Sequence, residues 1–281
     1  MINEQVLNRV IDNAITEDVG DGDHSSQACI PHDAVGKVQL LVKEAGIIAG
    51  VEIAKKIFEK FDPQIQMEVF ITDGTKVSPG EVAFVVEGKV QDLLKAERLV
   101  LNIMQRMSGI ATQTNAYVKK LEGLPTRVLD TRKTTPGLRE IEKLAVKMGG
   151  GVNHRMGLYD MVMLKDNHID FAGGIGKAVT LVHQYLKEKN KKLKIEIEVR
   201  NFMELEEVLK VGGINRIMLD NFSPADTRKA VELIQGRFET ESSGGITLDT
   251  LRDYAECGVD YISVGALTHQ IKSLDLSLKA M

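Results

Sequence analysis

The sequence predicts an α/β protein in two parts, an α+β N-terminal portion and then a series of parallel βα units. Three observations carry this reading. In the first third, strand-like runs follow one another with a single helical segment among them. A long stretch with one apolar face follows, from Asp92 toward Leu121. From about Arg127, short β-type runs alternate with amphipathic helices of roughly 10 to 15 residues, the pattern of parallel strands joined by crossover helices.

The elements follow in order. Ile2, Val6, Val10, Ile11 and Ile15 recur at helical spacing, broken by Asn3, Glu4, Asn8, Arg9 and Asp12. This predicts an amphipathic helix, not the apolar core of a signal peptide. Lys37–Val42, Gln66–Ile71 and Val82–Val86 are expected strands, with turns at Asp73-Gly74 and Pro79-Gly80. A helix over Val51–Phe61 separates the first two. Leu93, Ala96, Leu99, Val100, Ile103, Met104 and Met107 line the apolar face of the next helix, expected to stop at Ser108-Gly109 and resume toward Leu121. Six further strands are expected at Arg127–Leu129, Met161–Leu164, Ile195–Val199, Arg216–Leu219, Phe238–Thr240 and Asp260–Val264. A closed barrel of parallel βα units needs eight. An open or incomplete barrel and a doubly wound sheet both fit the pattern.

Polar chemistry collects where these six strands end. Asp130-Thr-Arg-Lys133 follows the first, Lys165-Asp-Asn-His168 the second and Arg200-Asn201 the third. Asp220-Asn221, Glu241-Ser-Ser-Gly-Gly245 and Gly265-Ala-Leu-Thr-His269 follow the others. In a barrel such ends converge on one mouth, where ligands bind. Loops of any α/β protein are polar, but ionised groups at matching points of several units exceed that expectation. Asp130–Arg139 is the densest segment. Its cations Arg132, Lys133 and Arg139 and its hydroxyls Thr131, Thr134 and Thr135 suit a small, multiply anionic ligand.

Several of these residues admit more than one reading. Lys165 closes a buried strand, where a charge is costly without an anion nearby. It fits a Schiff-base lysine, a fixed cation for phosphate or carboxylate, or half of a structural salt bridge. Gly149-Gly-Gly151, ahead of His154 and Arg155, either lets the backbone approach a ligand or ends the helix over Leu138–Met148. Glu198 and Asp220 sit on consecutive strands amid cations. They suit Mg2+, which takes one or two carboxylates with water and substrate oxygens. A general acid–base pair and plain structural pairing are the alternatives. The small residues at Ser242-Ser-Gly-Gly245 and Gly265-Ala266 suit phosphate.

Composition narrows the function classes. The 281 residues are 43% apolar and 27% charged, as in soluble globular proteins. With 36 Lys and Arg against 40 Asp and Glu, and aromatics at 5% without Trp, no nucleic-acid partner is expected. No apolar run approaches the roughly 20 residues that span a bilayer, so no membrane partner is expected either. Cys29 and Cys257 form no CxxC, which excludes a disulfide framework and a zinc site and suits a reducing, cytoplasmic setting.

Eight motifs in this order give the chain its resemblance to a known family: Glu97-Arg-Leu99, Thr131–Arg139, Gly149–Arg155, Lys165–His168, Glu196–Val199, Leu219–Asn221, Glu241–Gly245 and Val264–His269. Over almost its whole length the sequence resembles the quinolinate phosphoribosyltransferase family. The spacing from Asn201 to Asp220 is one residue longer than that pattern, at Gly212-Gly-Ile214. The resemblance implies an N-terminal α/β sandwich (1–110), an open, incomplete α/β barrel holding the substrate site (111–270), and a segment (271–281) that packs back on the first domain. It implies transfer of the phosphoribosyl group of phosphoribosyl pyrophosphate (PRPP) to quinolinate with decarboxylation, giving nicotinate mononucleotide, pyrophosphate and CO2.

By the same resemblance, Arg98, Thr131, Arg132, His154, Arg155 and Lys165 would hold quinolinate. Lys133, Glu198, Asp220, Ser243, Gly244, Gly265 and His269 would hold PRPP, with Lys133, Lys165, Glu198 and Asp220 serving catalysis. Glu198 and Asp220 would take Mg2+, directly or through water. A homodimer or a hexamer of dimers is implied, with Arg98 completing the neighbouring site. A phosphoribosyltransferase acting on another anionic ring is one alternative, and a Schiff-base aldolase using Lys165 is another.

Overall fold

The computed structural model describes residues 3–281. Met1 and Ile2, and with them the Ile2 position of the N-terminal stripe, lie outside the described residues. The chain divides into two units. The first comprises residues up to 115 with 134–150 and 267–281, the second 116–133 and 151–266.

In chain order the elements begin with α1 (Glu4–Val19), α2 (His24–Cys29), β1 (Val35–Val42), β2 (Gly46–Ile47), α3 (Val51–Phe61), β3 (Gln66–Val69), β4 (Lys76–Val77) and β5 (Val82–Lys89). Next come α4 (Val90–Lys120), β6 (Arg127–Leu129), α5 (Arg139–Met148), β7 (Val162–Leu164), α6 (Asp166–Ala172), α7 (Ile175–Glu188), β8 (Ile195–Val199) and α8 (Phe202–Val211). The last are β9 (Arg216–Asp220), α9 (Pro224–Ile234), β10 (Glu239–Ser243), α10 (Leu251–Ala255), β11 (Tyr261–Ser263), α11 (Ala266–His269) and β12 (Leu276–Ala280).

In the first unit, β12, β1, β5 and β3 form an antiparallel sheet in that order. Val38, Leu40 and Val42 alternate along β1 as its buried residues, the period of a strand with one covered face. Helix α3 packs on this sheet through Phe58, edge-on to Phe84 with ring centroids 6.3 Å apart. Helix α1 buries Leu7 and Ile11, and its N-terminus is capped by the Asn3 side chain, which accepts from the Gln5 and Val6 amides.

Two glycine signals read differently in the structure. Helix α4 runs unbroken through Ser108-Gly109, where the sequence suggested a stop. A side-chain carbon at Gly109 would lie 2.3 Å from the Lys272 carbonyl oxygen. Gly109 is there so that the chain leading into β12 can cross α4, an arrangement also held by the Leu274 amide on the Gln105 carbonyl. Gly109→Ala is expected to cost about 1–3 kcal/mol by overpacking, measured as a lower midpoint in urea or thermal unfolding. An unchanged midpoint would contradict this account. The Gly149-Gly-Gly151 run has a similar explanation. Gly149 ends α5, and a side-chain carbon on it would sit 2.4 Å from the Ala111 carbonyl of α4. Gly150 then takes φ +92°. Helix termination and close packing account for these glycines.

The second unit is built on six parallel strands in the order β6-β11-β10-β9-β8-β7. From β7 to β11 the order advances one strand at a time, and β6 closes the list beside β11. A doubly wound sheet reverses direction at a switch point, and this one does not. It is a barrel sheet left open between β6 and β7, with Val152 bridging the free edge of β6 at Leu129. β10 is Glu239–Ser243, shifted from the expected Phe238–Thr240. Its polar sequence is held as strand by neighbours paired on both sides, an example of β-structure set by context.

Alternation on these strands separates two faces. Ile195, Ile197, Val199, Ile217 and Leu219 join Leu164 in one apolar cluster with Ile169, Val179, Leu205, Val208, Ala230 and Ile234 of α6 to α9. A fully buried side chain of this size contributes about 1.5–3 kcal/mol. The alternate positions, Glu196, Glu198, Arg216, Asp220, Glu239, Glu241 and Ser243, therefore face away from those helices. Polar chemistry is thereby confined to one side of the sheet.

Candidate active site

The site begins where β6 ends. Asp130 is fully buried and accepts the His154 backbone amide at 2.8 Å and the Asn153 side-chain amide. This fastens the segment after Val152 to the end of β6. Thr131 accepts the Lys133 amide at 3.0 Å, and the Arg132 and Lys133 side chains are exposed beyond that bend. In the first unit the same segment continues as a turn. The Leu138 amide donates to the Thr135 carbonyl at 3.0 Å across Pro136-Gly137, with Gly137 at φ +84° as a type II turn requires. Arg106 of α4 holds this turn from behind. It pairs with buried Glu142 at 2.6 Å, donates to the Thr135 hydroxyl at 2.7 Å and reaches the Thr268 carbonyl at 3.3 Å.

His154 carries the most unusual environment. It is buried, and its Nε2 lies 3.0 Å from Glu196 and 3.3 Å from Glu241, both fully buried. Burial alone would lower its pKa. The two carboxylates outweigh burial and push it up to about 9. The Arg155 amide lies 2.7 Å from Nδ1, a contact that favours a lone pair there and hence the neutral ring. Two buried carboxylates weigh more than one amide dipole, so the charged ring prevails. Burial and the neighbouring Glu241 raise Glu196 to about 7. Burial also raises Glu241, but His154 and Arg216 draw it below the usual range. The two carboxylates titrate as a pair.

Arg216 completes this layer. It sits beside Glu196 and Glu239 in the strand register, donates to Glu239 and to Glu241 at 3.0 Å, and lies over the Tyr261 ring at 4.1 Å. Arg155 adds a further cation. Its guanidinium donates to the Met161 carbonyl at 3.2 Å. Burial, then the charge of Arg132, lowers its hold on its proton. Two like charges are thus close enough to repel, with Glu196 and Asp160 acting on Arg155 in the opposite sense.

Further along the strand ends, Lys165 pairs with buried Glu198 at 2.6 Å, and its side chain is half-exposed. Asp220 accepts the Asn221 side chain at 2.7 Å. Asn221 has φ +57°, and its amide donates to the Ser243 carbonyl. Gly244, at φ +103°, lies so close that a side-chain carbon would meet Asn221 Oδ1 at 2.2 Å, so no other residue fits there. Ser243, Gly244 and Gly265 are partly exposed at the ends of β10 and β11. His269 and Arg98 belong to the first unit, and both are exposed.

Two donor sets merit comparison as cation sites. Glu198 and Asp220 occupy the same face of β8 and β9 and offer hard oxygen donors, a set that fits Mg2+. His154, Glu196 and Glu241 bring one donor atom each within 4.8 Å of one another. There, however, Arg216 already supplies a fixed cation 3.0 Å from Glu241 and 4.0 Å from Glu196, so the carboxylates have their counter-charge.

The second unit therefore contains Thr131, Arg132, Lys133, His154, Arg155, Lys165, Glu198, Asp220, Ser243, Gly244 and Gly265. Sequence reasoning missed the roles of Glu196, Arg216 and Glu241. The signal was present in the alternation of charge at even positions on β8 and odd positions on β10, read with the strand register. It also missed Arg106, for which an arginine on a helical face gives no signal.

Comparison with known proteins finds relatives over nearly the whole chain. A family model described as "Quinolinate phosphoribosyl transferase, C-terminal domain" matches residues 110–279, and its N-terminal counterpart matches 23–108. A quinolinate phosphoribosyltransferase [decarboxylating] 1b of Nicotiana tabacum is 49% identical, covering 97% of this chain and 82% of that protein. A probable nicotinate-nucleotide pyrophosphorylase [carboxylating] of Bacillus subtilis is 40% identical, covering 99% and 94%. Among solved structures, the nicotinate-nucleotide pyrophosphorylase from Francisella tularensis superposes with a TM-score of 0.93 at 38% identity, covering 100% of this chain and 98% of that one.

Proposed function

The chain belongs to the quinolinate phosphoribosyltransferase family, and from that premise we propose that it joins quinolinate to PRPP with loss of CO2. The products are nicotinate mononucleotide, pyrophosphate and CO2, a step of NAD synthesis. The observation that carries the reading is the cationic pole of Arg132, Arg155 and His154. Burial, then the charge of Arg132, weakens the hold of Arg155 on its proton, and the two carboxylates of one ring would relieve that repulsion.

In this reading, the exposed Arg132 and the half-buried Arg155 clamp the two carboxylates, with Thr131 shaping the loop that presents them. Lys133, Ser243, Gly244, Gly265 and His269 bind the phosphates of PRPP. Glu198 and Asp220 face the ribose hydroxyls and would hold Mg2+, whose role is to offset charge on the departing pyrophosphate. The ring nitrogen already has its lone pair, so positioning it over the anomeric carbon is the main task. The carbon–nitrogen bond forms as the carbon–oxygen bond to pyrophosphate breaks, and Lys133 offsets charge on the leaving group. The ring nitrogen, now cationic, stabilises the electron pair that the breaking carbon–carboxylate bond leaves on the adjacent ring carbon as CO2 departs. Lys165, fixed on Glu198, orients that carboxylate and returns a proton to the ring carbon. As an ammonium paired at 2.6 Å with a carboxylate, Lys165 is poorly set for the Schiff-base alternative, which needs a neutral amine.

We further propose a homodimer, or an assembly of such dimers, in which Arg98 of the partner subunit completes each site. A cytoplasmic location is proposed because Cys29 and Cys257 are both free thiols. No helix among the described residues is long and apolar enough to cross a membrane.

The test is turnover by the purified protein with Mg2+, quinolinate and PRPP, following CO2 and pyrophosphate together. Equal release of the two is expected. Turnover of nicotinate without CO2, and none of quinolinate, would show that the enzyme takes another anionic ring.

A further inference from the structure

Beneath the cationic pole lies a layer of buried charge to which the reaction as described gives no task. Glu196, Glu241 and Arg216 come from three neighbouring strands, β8, β10 and β9. The groups facing the His154 ring are Glu196 from β8 and Glu241 from β10. Arg216 of β9 stands behind them, Asp130 at the end of β6 holds the His154 amide, and Arg155 adjoins in the chain. Leaving a carboxylate buried in this way is costly, and breaking a buried pair is strongly destabilising. Glu196 Oε1 and Glu241 Oε1 nevertheless have no hydrogen-bond partner. His154 and Arg216 balance the two carboxylates, and the charge of Glu196 also acts on Arg155 against the repulsion of Arg132.

We propose that Glu196 and Glu241 are positioning residues for the dicarboxylate substrate, buried counter-charges that keep His154 charged and oriented and so hold the neighbouring Arg155 and Arg132 together before the substrate arrives. The layer acts through His154. Its ring is anchored by the two glutamates on one side, its backbone by Asp130 on the other, and Arg155 is attached to it directly. The pole is then preorganised, and substrate binding does not have to assemble it. This inference rests on the quinolinate reading of the site.

The test uses full-length Glu241→Gln, with steady-state kinetics for each substrate across pH 6 to about 10. Wild-type turnover of quinolinate and PRPP establishes the reaction, so its failure would strike the function and not this inference. For the variant, the KM for quinolinate should rise about tenfold or more, a loss expected for a charged hydrogen-bonded group, while the KM for PRPP stays within about twofold. The pH profile gives the second readout. A His154 pKa raised to about 9 keeps the charged ring through neutral pH, and the benefit is lost as pH rises through that value. Without Glu241 the ring titrates nearer its ordinary value of about 6.5, so the falling limb of kcat/KM for quinolinate should move to lower pH by about one unit or more.

Equal rises in both KM values with an unmoved pH profile would show a purely structural role and overturn the proposal. A stoichiometric divalent metal in the purified protein, lost in the variant, would also overturn it by making the layer a metal centre. If Glu241→Gln does not fold, Glu196→Gln carries the same measurements.

Discussion

Mixing inactive Arg98→Ala protein with inactive Lys165→Ala protein should restore about a quarter of wild-type activity. Each variant alone is expected to lose roughly a hundredfold or more, the scale set by removing a group that acts on the reacting atoms. The recovery follows from symmetry. If each site takes Lys165 from its own chain and Arg98 from the partner, a mixed dimer has one site with both residues intact and one with neither. Random re-pairing makes about half the dimers mixed, and half of their sites are sound. Subunit exchange would be confirmed by mass spectrometry of differently tagged chains. Confirmed exchange with no recovered activity would place Arg98 outside the neighbour's site. The structure supplies one requirement of the proposal, since Arg98 lies exposed on α4.

Arg155→Ala should weaken quinolinate binding about ten- to a hundredfold, with PRPP binding nearly unaffected. Loss of a charge-assisted hydrogen bond costs roughly 1.5–3 kcal/mol. Arg132→Ala should behave alike for the same reason, and the pair should be less than additive. Removing either arginine relieves the repulsion between them, which adds to burial in lowering the Arg155 pKa, so part of the second loss is returned. Titration calorimetry with quinolinate reads this directly. Unchanged affinity in either single variant would remove that residue from the carboxylate clamp.

The polar strand ends of the second unit are legible in the sequence because their signals are local. A strand followed by Asp-Thr-Arg-Lys, or by Lys-Asp-Asn-His, announces where the chain turns and what it presents there. The second unit's strands were readable from their alternation with amphipathic helices. What escaped the sequence depends on partners distant in the chain. Gly109 resembles a helix stop until the Lys272 carbonyl is seen against it. Glu239–Ser243 lacks strand character by composition and acquires it from β9 and β11. The His154 layer draws on β8, β9 and β10, and its charges meet only once the register of those strands is known. Arg106 shows the same limit, because its partners Thr135 and Glu142 come from one later stretch of chain and Thr268 from another.

The pairing of β1 with β12 bears on the order in which this protein can be made. β1 leaves the ribosome before the parallel strands, yet the neighbour on one of its edges, β12, is synthesised only after all of them. The six parallel strands lie wholly between them in the sequence. During translation the inserted unit can reach its native pairing while β1 still has an open hydrogen-bonding edge. Such an edge invites pairing with other chains. β1 is thus a segment that must wait, and its exposure to nascent-chain aggregation lasts until Leu276–Ala280 is released.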